Sequence, residues 1–442
     1  MTAISSTTSL TLDLPPSCIQ FSPRHPELFV VGTYFLHGRE QQGNLSTDIT
    51  QLSSDASVDN EDNPVDDTTD PTPAQPQAQK RTGSLSLFKL ENDQITQLAS
   101  TATDFAILDI QWAIHPDPFG DLLAVATSTG LLAFYHLRIS AKPSSSELVL
   151  SSVHAITKPE ILVLSLTWHP TRADTLGATL SDGSVQLCEC TPGGRCKLWD
   201  QGAVLLTTEL HRHELEAWTL TFTPGKTAKV LSGGDDAALQ CSHISSSTEE
   251  PSLLWRDRKL HEAGVTAILP LSGTLIVTGS YDDHIRLISI PSVGRRQVLA
   301  ETNLDGGVWR LKILRTEVVG EPEGATKGTA DPHPDPDPDP DPTKAFPSSP
   351  SALSSANANP ASMHGSTHSI LLLCSCMHAG TRIVRLSRGT SEAESWEFEV
   401  LGKFEEHQSM NYGSDVQPGT KSVVSTSFYD KLMCLWTVDG LI

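Results

Sequence analysis

Nowhere in this 442-residue chain do enough apolar residues run together to cross a bilayer as a helix, so no membrane span is expected. The opening residues, MTAISSTTSLTLDLPP, lack the basic start and strongly apolar stretch of a secretory signal. Positive charge is scarce: 31 Lys and Arg stand against 53 Asp and Glu, a formal net charge of −22. A surface of that sign repels phosphate backbones, which argues against nucleic-acid binding as the main task. The eight cysteines include no matched CxxC pairs, which argues against a structural zinc site. Cys188, Cys190, Cys241, Cys374, Cys376 and Cys434 fall in apolar segments and read as buried thiols of a reducing cytosol. There is no GxSxG nucleophile elbow. There is also no HExxH zinc motif, because the segments HELEA (213–217) and HEAGV (261–265) lack the second His. A cytoplasmic monomer without cofactor or metal is the expectation.

What the chain does have is a repeat. It is clearest at His213–His243, HELEAWTLTFTP…KVLSGGDDAALQCSH, and at His261–Ile290, HEAGVTAILP…TLIVTGSYDDHIRLISI. Each copy carries a His, an alternating apolar strand, a small-residue strand, an acidic turn and a further alternating strand. In the second copy Val265, Ile268, Ile276, Ile285 and Leu287 place one face of each strand inward. An Asp precedes an apolar strand residue by three in several copies: Asp182 and Val185, Asp236 and Leu239, Asp282 and Ile285, Asp430 and Met433. An aromatic precedes a proline by two at Phe21, Trp168 and Phe222, and such a proline marks a strand end. Seven copies begin near Cys18, Ala106, Ile161, His213, His261, Asp305 and His407. A unit that cannot bury its own apolar face must stack on copies of itself. The pattern resembles the WD-repeat family, whose His, Ser or Thr, Asp and Trp brace each blade. The resemblance implies an all-β, seven-bladed WD-repeat β-propeller, with His213, Asp236, His261 and Asp282 as brace residues. The Trp position is Ser242 and Ile288 in those two copies, so the brace is incomplete there.

Seven blades of about 45 residues account for roughly 315 residues. The whole chain, 1–442, therefore reads as one propeller with two acidic, disordered insertions at 37–82 and 316–368. The first carries nine acidic and three basic residues, the second eight and two, so together they hold −12 of the −22 charge. The second includes a His-Pro followed by four Asp-Pro pairs at 333–342, which reads as an extended spacer. One insertion falls between the second and third strands of its blade, the other between the first and second. Antiparallel connections alternate ends, so the two should leave opposite faces of the disc. Residues 8–14, TSLTLDL, alternate and are expected to complete the seventh blade and remove its open edge.

A propeller alone predicts a binding platform. The informative residues are those that the repeat does not require. They are Glu216 and Trp218 in HELEAW, Asp235 in SGGDD, Tyr281, Asp283 and His284 in TGSYDDH, and Trp309 and Arg310 in GGVWR. His378 in CMHAG, Tyr412 and Asp415 in NYGSD, and Tyr429 in SFYD complete the set. These strings, in order and with propeller spacing, resemble the diphthine methylesterase family (also called diphthine methyltransferases). The match is strong over 213–438 and weaker over 18–190. It implies hydrolysis of the methyl ester of methylated diphthine, a modified histidine of translation elongation factor 2, on the way to diphthamide. The protein substrate is then the one partner expected.

Ester hydrolysis needs a nucleophile or activated water, a base, and donors for the oxyanion. With no nucleophile elbow, an attacking water is the simpler mechanism. Glu216, Asp235 or Asp283 is the candidate base, with His284 or His378 assisting. Arg310 and Tyr412 are candidates for the carboxylate region or the oxyanion. Trp218, Trp309 and Tyr281 are candidates for substrate binding, the indoles through cation–π contact with the quaternary ammonium. The competing reading is a non-catalytic WD-repeat scaffold. In that reading the same His and Asp residues only lock turns, and the aromatics only pack blades.

Overall fold

The computed structural model describes residues 1–37, 79–115, 119, 121–140, 146–194, 197–224, 229–244, 251–319, 367–389 and 395–440. All thirty elements among them are β-strands, and they form seven sheets. Each sheet is one blade whose strands run from the axis outward in chain order, apart from the outermost strands that the first residues of the chain add to blades 6 and 7. Blade 1 consists of Pro16–Phe21, Leu28–Thr33, Arg81–Glu91 and Gln94–Thr103. Blade 2 runs from Ile107–Trp112 to Glu147–Ala155, blade 3 from Val163–Trp168 to Val204–Arg212, and blade 4 from Ala217–Phe222 to Ser252–Asp257. Blade 5 runs from Val265–Pro270 to Gln297–Asn303, and blade 6 from Arg310–Val319 to Trp396–Phe404. The first strands of successive blades touch in a closed ring, the seventh against the first. This is the expected seven-bladed propeller.

Burial explains why these sequences are strands in these places. The second strand of a blade is covered on both faces by its neighbours. Leu28–Thr33, Leu122–Thr127 and Thr175–Leu180 are buried at every residue. Their sequences, LFVVGT, LLAVAT and TLGATL, are accordingly apolar or small throughout rather than alternating. The outermost strands, such as Gln297–Asn303, have most residues exposed. Blades meet so closely that a Cβ on Gly279 would lie 2.6 Å from the Val308 side chain of the next blade. Each fully buried Leu, Ile or Val at these faces contributes about 1.5–3 kcal/mol.

The ring closes as the alternation of residues 8–14 predicts. Blade 7 takes Gly413–Val416, Ser422–Thr426 and Leu432–Thr437 from the end of the chain. Its outer strand is Thr8–Thr11 from the beginning, antiparallel, with Leu10 opposite Met433. A second junction was not legible in the sequence. Thr2–Ile4 adds a parallel fifth strand to blade 6, pairing Thr2 with Gly402. A three-residue strand is too short for a period to show.

The insertion boundaries need correction at their edges. Arg81 and Thr82 belong to the third strand of blade 1, and Phe35–Leu36 pairs with them. Thr316–Val319 and Thr367–His368 likewise extend the first two strands of blade 6. These stems are two to four residues long, too short for an alternation to show in the sequence. The predicted disorder of the insertions otherwise lies outside the described residues. The stems leave from opposite ends of their blades, as expected from strand direction.

The braces vary by blade. In blade 7, His407 Nε2 and Ser425 Oγ are 2.8 Å apart, and Trp436 Nε1 donates to the same Oγ at 2.9 Å. In blade 4, His213 bridges Asp236 and Ser232, each at 2.8 Å. Its missing Trp is replaced by His211, whose ring spans Ser232 and Ser242 at 2.6 Å each. In blade 5, His261 holds Thr278 at 2.8 Å, while Asp282 takes the guanidinium of Arg286. The brace role predicted for Asp282 is thus carried out through Arg286 in place of His261.

Burial pushes several of these imidazoles below the ordinary histidine range: His169, His261 and His407 to about 4, and His211 to about 3. An unfolded chain takes up their protons near pH 6.5, whereas the folded chain stays neutral. Stability is therefore fully present above that pH and falls as the solution is acidified towards 4. Each such group adds a slope of up to about 1.4 kcal/mol per pH unit. Thermal melts should show a midpoint that drops steadily between pH 7 and pH 4.5. Replacing His407 by Gln should flatten that slope. An equal slope in both proteins would reject the assignment.

Candidate active site at the mouth of the central channel

The first strands line the axis, so the residues that enter them sit at the rim of the channel. The turn between second and third strands reaches the same rim. Backbone bonds lock the two together: Asp235 N donates to Glu216 O at 2.8 Å in blade 4, and Tyr281 N to Gly264 O at 2.9 Å in blade 5. Trp218 and Trp309 lie at the entries to the first strands of blades 4 and 6, and Tyr412 lies just before that of blade 7.

These side chains converge. Trp309 packs on Trp218, Tyr281 and Tyr412, with ring centroids 5.5, 6.0 and 5.1 Å away. Trp218 and Tyr281 meet edge to face at 6.3 Å. Tyr412 continues to Phe428 at 5.4 Å, and Phe428 to Tyr34 at 6.2 Å. The result is a cup of partly buried rings contributed by blades 4, 5, 6, 7 and 1. Tyr281 fits because its neighbour has no side chain. A Cβ on Gly264 would stand 2.9 Å from both the Tyr281 ring and Asp235 Oδ1.

Acidic groups border the cup. Trp218 Nε1 donates to Asp235 Oδ1 at 3.1 Å, which fixes the indole and the carboxylate together. Burial raises the pKa of the Tyr281 phenol, and the nearby Tyr412, Asp235 and Glu216 raise it further. Burial, with Tyr429 adding to it, pushes that of Tyr412 up to about 12. Both phenols therefore remain protonated donors throughout the physiological range. Neither hydroxyl has a hydrogen-bond partner among the described residues.

Just below the cup, the channel holds a cavity of about 50 Å³ lined by residues that include Cys18, Gln20, Asp109, Arg310 and Tyr412. Arg310 does not point freely at a substrate. Its Nη2 lies 2.9 Å from Asp109 Oδ1 across the axis. Asp109 Oδ2 in turn accepts from Ser165 Oγ at 3.0 Å and Leu166 N at 3.1 Å. Burial lowers the Arg310 pKa, and Asp109 outweighs that, so the guanidinium is held charged. A second pair, Lys312 Nζ and Asp415 Oδ1 at 2.7 Å, follows along the same strand.

The structure thus unites Glu216, Trp218, Asp235, Tyr281, Trp309 and Tyr412 at one rim, with Arg310 beneath. Asp283 and His284 stand apart from it. Asp283 has φ +64° and occupies the turn position that Gly130, Gly183 and Gly380 fill in other blades, so it serves the backbone. His284 Nδ1 donates to the carbonyl of Asp282 at 2.6 Å in the same turn. His378 is exposed and makes no hydrogen bond to any described residue. Tyr429 is 47% exposed and stacks edge-on to Phe428 at the outer margin. Sequence reasoning missed Phe428, Tyr34 and Asp109. Phe428 lay in the quoted SFYD string. Tyr34 and Asp109 carry no local signal, because only ring closure brings blades 1 and 2 to this rim.

Blade 4 also contains a Ser-His-Asp array, Ser232–His213–Asp236. Ser232 is completely buried, and its hydroxyl is shared with His211, so the array braces the blade and cannot meet a substrate. Cys376 is likewise buried and its pKa raised to about 12, first by burial and then, against an opposing effect of Arg382, by Asp283 and Asp305, so it is no thiolate nucleophile. Among the described residues, no group of three or more His, Cys, Asp or Glu is placed to hold a metal ion.

Chemically, the rim offers aromatic faces and carboxylates for an organic cation, one carboxylate oxygen free for a proton, and two neutral hydroxyl donors. The ion pair beneath it stitches blades 2 and 6 together. Asp109→Ala should cost about 2 kcal/mol by leaving Arg310 unpaired in a narrow channel, measurable by chemical denaturation. The double variant Asp109→Leu, Arg310→Met should recover most of that loss. A single variant as stable as the parent would show the pair to be incidental.

No family model matches the sequence. The chain is 28% identical over 358 residues to a diphthine methyltransferase of Schizosaccharomyces pombe, covering 80% of this chain and 86% of the relative. It is 27% identical to a diphthine methyltransferase of Saccharomyces cerevisiae, over 81% of this chain and 89% of that protein. Among solved structures, the WD40 β-propeller domain of Doa1 superposes with a TM-score of 0.54 at 10% identity, covering 100% of this chain and 99% of that one. The last likeness speaks to the fold alone.

Proposed function

We propose that this chain, a relative of the diphthine methyltransferases, removes the methyl group from methylated diphthine on translation elongation factor 2 by hydrolysing its ester. The observation that carries the reading is the cup formed by Trp218, Tyr281, Trp309 and Tyr412 beside Asp235 and Glu216. Diphthine presents a quaternary ammonium with its carboxyl group on the adjacent carbon. A trimethylated cation cannot donate hydrogen bonds, so aromatic faces and nearby carboxylates suit it better than a discrete acceptor would. Desolvated cation–π contacts of this kind contribute about 2 kcal/mol or more.

In this reading Asp235 is the general base. Its Oδ1 is held by the Trp218 indole, and Oδ2 is left to take a proton from the attacking water. Glu216 adds a second negative charge for the ammonium. Arg310, engaged with Asp109, supports the floor and the local field without touching the ester. Water is the co-reactant, and the products are the free carboxylate and methanol. The reaction belongs to the cytosol, where this substrate works, and the buried free thiols fit a reducing compartment.

Incubating the purified chain with elongation factor 2 that carries methylated diphthine should lower the substrate mass by one methylene. An increase by one methylene with an added methyl donor would instead mean methyl transfer. An unchanged mass under all conditions would favour a scaffold. Asp235→Asn should lower kcat on the order of 10²–10³-fold. Trp309→Ala should chiefly raise KM, by about tenfold, through loss of the shared ring. A Trp309→Ala variant with parental KM would remove the cup from the binding site.

A further inference from the structure

Resting on that esterase reading, we infer that the hydroxyls of Tyr281 and Tyr412 are the donor pair that stabilises the oxyanion formed on the ester carbonyl. The geometry of the ligand sets the requirement. The carbonyl carbon is bonded to the carbon that bears the ammonium. Once the ammonium lies among the rings, the carbonyl oxygen lies within the cup as well. Its donors must then come from the cup walls.

Six backbone donors at the rim are already spent. Asp235 N, Tyr281 N, Val308 N, Trp309 N, Asn411 N and Phe428 N all donate to carbonyls within or between blades. The Trp218 indole N–H is given to Asp235, and the Arg310 guanidinium faces Asp109. Tyr34 lies one ring further out, behind Phe428, and its hydroxyl oxygen accepts from Arg81 Nε at 2.9 Å. Tyr281 and Tyr412 are different. They flank the same indole, Trp309, at 6.0 and 5.1 Å, so a ligand lying on that ring meets both. Their hydroxyls are free of described partners, and burial keeps them protonated.

In the step itself, the water oxygen bonds to the carbonyl carbon and its proton passes to Asp235. The carbonyl π pair moves to oxygen, where the two phenols donate to it. Collapse of this intermediate restores the carbonyl and expels methoxide. Methoxide takes the proton back as methanol, and the acid product ionises. Donors placed for the developing charge lower the barrier without tightening the ground state, so they affect turnover more than binding.

The test uses the full-length chain, its Tyr281→Phe and Tyr412→Phe variants, and elongation factor 2 bearing the methyl ester. Each variant should lose kcat on the order of 10²-fold. KM should stay within about threefold, as should the affinity for tetramethylammonium, read by quenching of tryptophan fluorescence, because the aromatic faces remain. Retained tetramethylammonium binding also reports a folded cup. An active parent whose two Phe variants both keep kcat within about threefold would overturn this assignment alone. A parent that never releases the methyl group overturns the esterase reading and this one with it.

Discussion

Everything in this molecule depends on blades packing face to face around a ring that has no free end. One four-stranded sheet has two apolar faces and nothing of its own to cover them. Its second strand is therefore apolar or small along its whole length, and its neighbours press close enough to require glycine at Gly279. An open ring would expose a face on the first blade, another on the seventh, and an unpaired edge strand. The chain removes all three by returning its first residues to blade 7, where Leu10 lies opposite Met433. It fastens the same segment to blade 6 through Thr2–Ile4. Closure is thus a long-range event that joins the beginning of the chain to its end.

Closure also creates the site. No single blade holds the cup. Trp218 belongs to blade 4, Tyr281 to blade 5, Trp309 to blade 6 and Tyr412 to blade 7. They meet because the entries of the first strands converge on one axis. The channel beneath adds charge in compensated form, as Arg310 with Asp109 and Lys312 with Asp415. Pairing across the axis neutralises groups that would otherwise be costly to desolvate. It also leaves Asp235 and Glu216 as acidic groups at the rim with no ion-pair partner among the described residues.

The sequence made the repeat legible because the blades share an alternation and several of them share an Asp-bearing turn. The number of blades, the closing strand and the six rim residues could all be read from it. Besides the Thr2–Ile4 junction and the rings of Phe428 and Tyr34, three things could not. The strand stems at Arg81–Thr82 and Thr316–Val319 are too short to show an alternation. The replacement of a brace Trp by His211 leaves only a His and a Ser, ordinary residues whose pairing appears once the strands are in register. The partnership of Arg310 with Asp109 spans two hundred residues of chain and half the ring, and no local pattern encodes it. Asp283 misled in the opposite direction. Its acidic side chain suggested chemistry, whereas its φ of +64° is the turn geometry that glycine fills in other blades.

The division between scaffold and site falls within single turns. Asp236 and Asp282 accept backbone N–H groups from Glu214 and Glu262, and they clamp the turn between second and third strands. The residue immediately before each, Asp235 and Tyr281, is bonded through its own N–H to the entry of the first strand. Its backbone is thereby fixed on both sides, and its side chain is directed to the axis. Blades 4 and 5 share this preorganisation, and the identity of the preceding residue differs between them. A WD-type blade can therefore acquire a chemical group at the channel rim by one substitution, at little cost to the brace. That accounts for Asp235 and Tyr281, which Trp218, Trp309 and Tyr412 join from the first-strand entries of blades 4, 6 and 7.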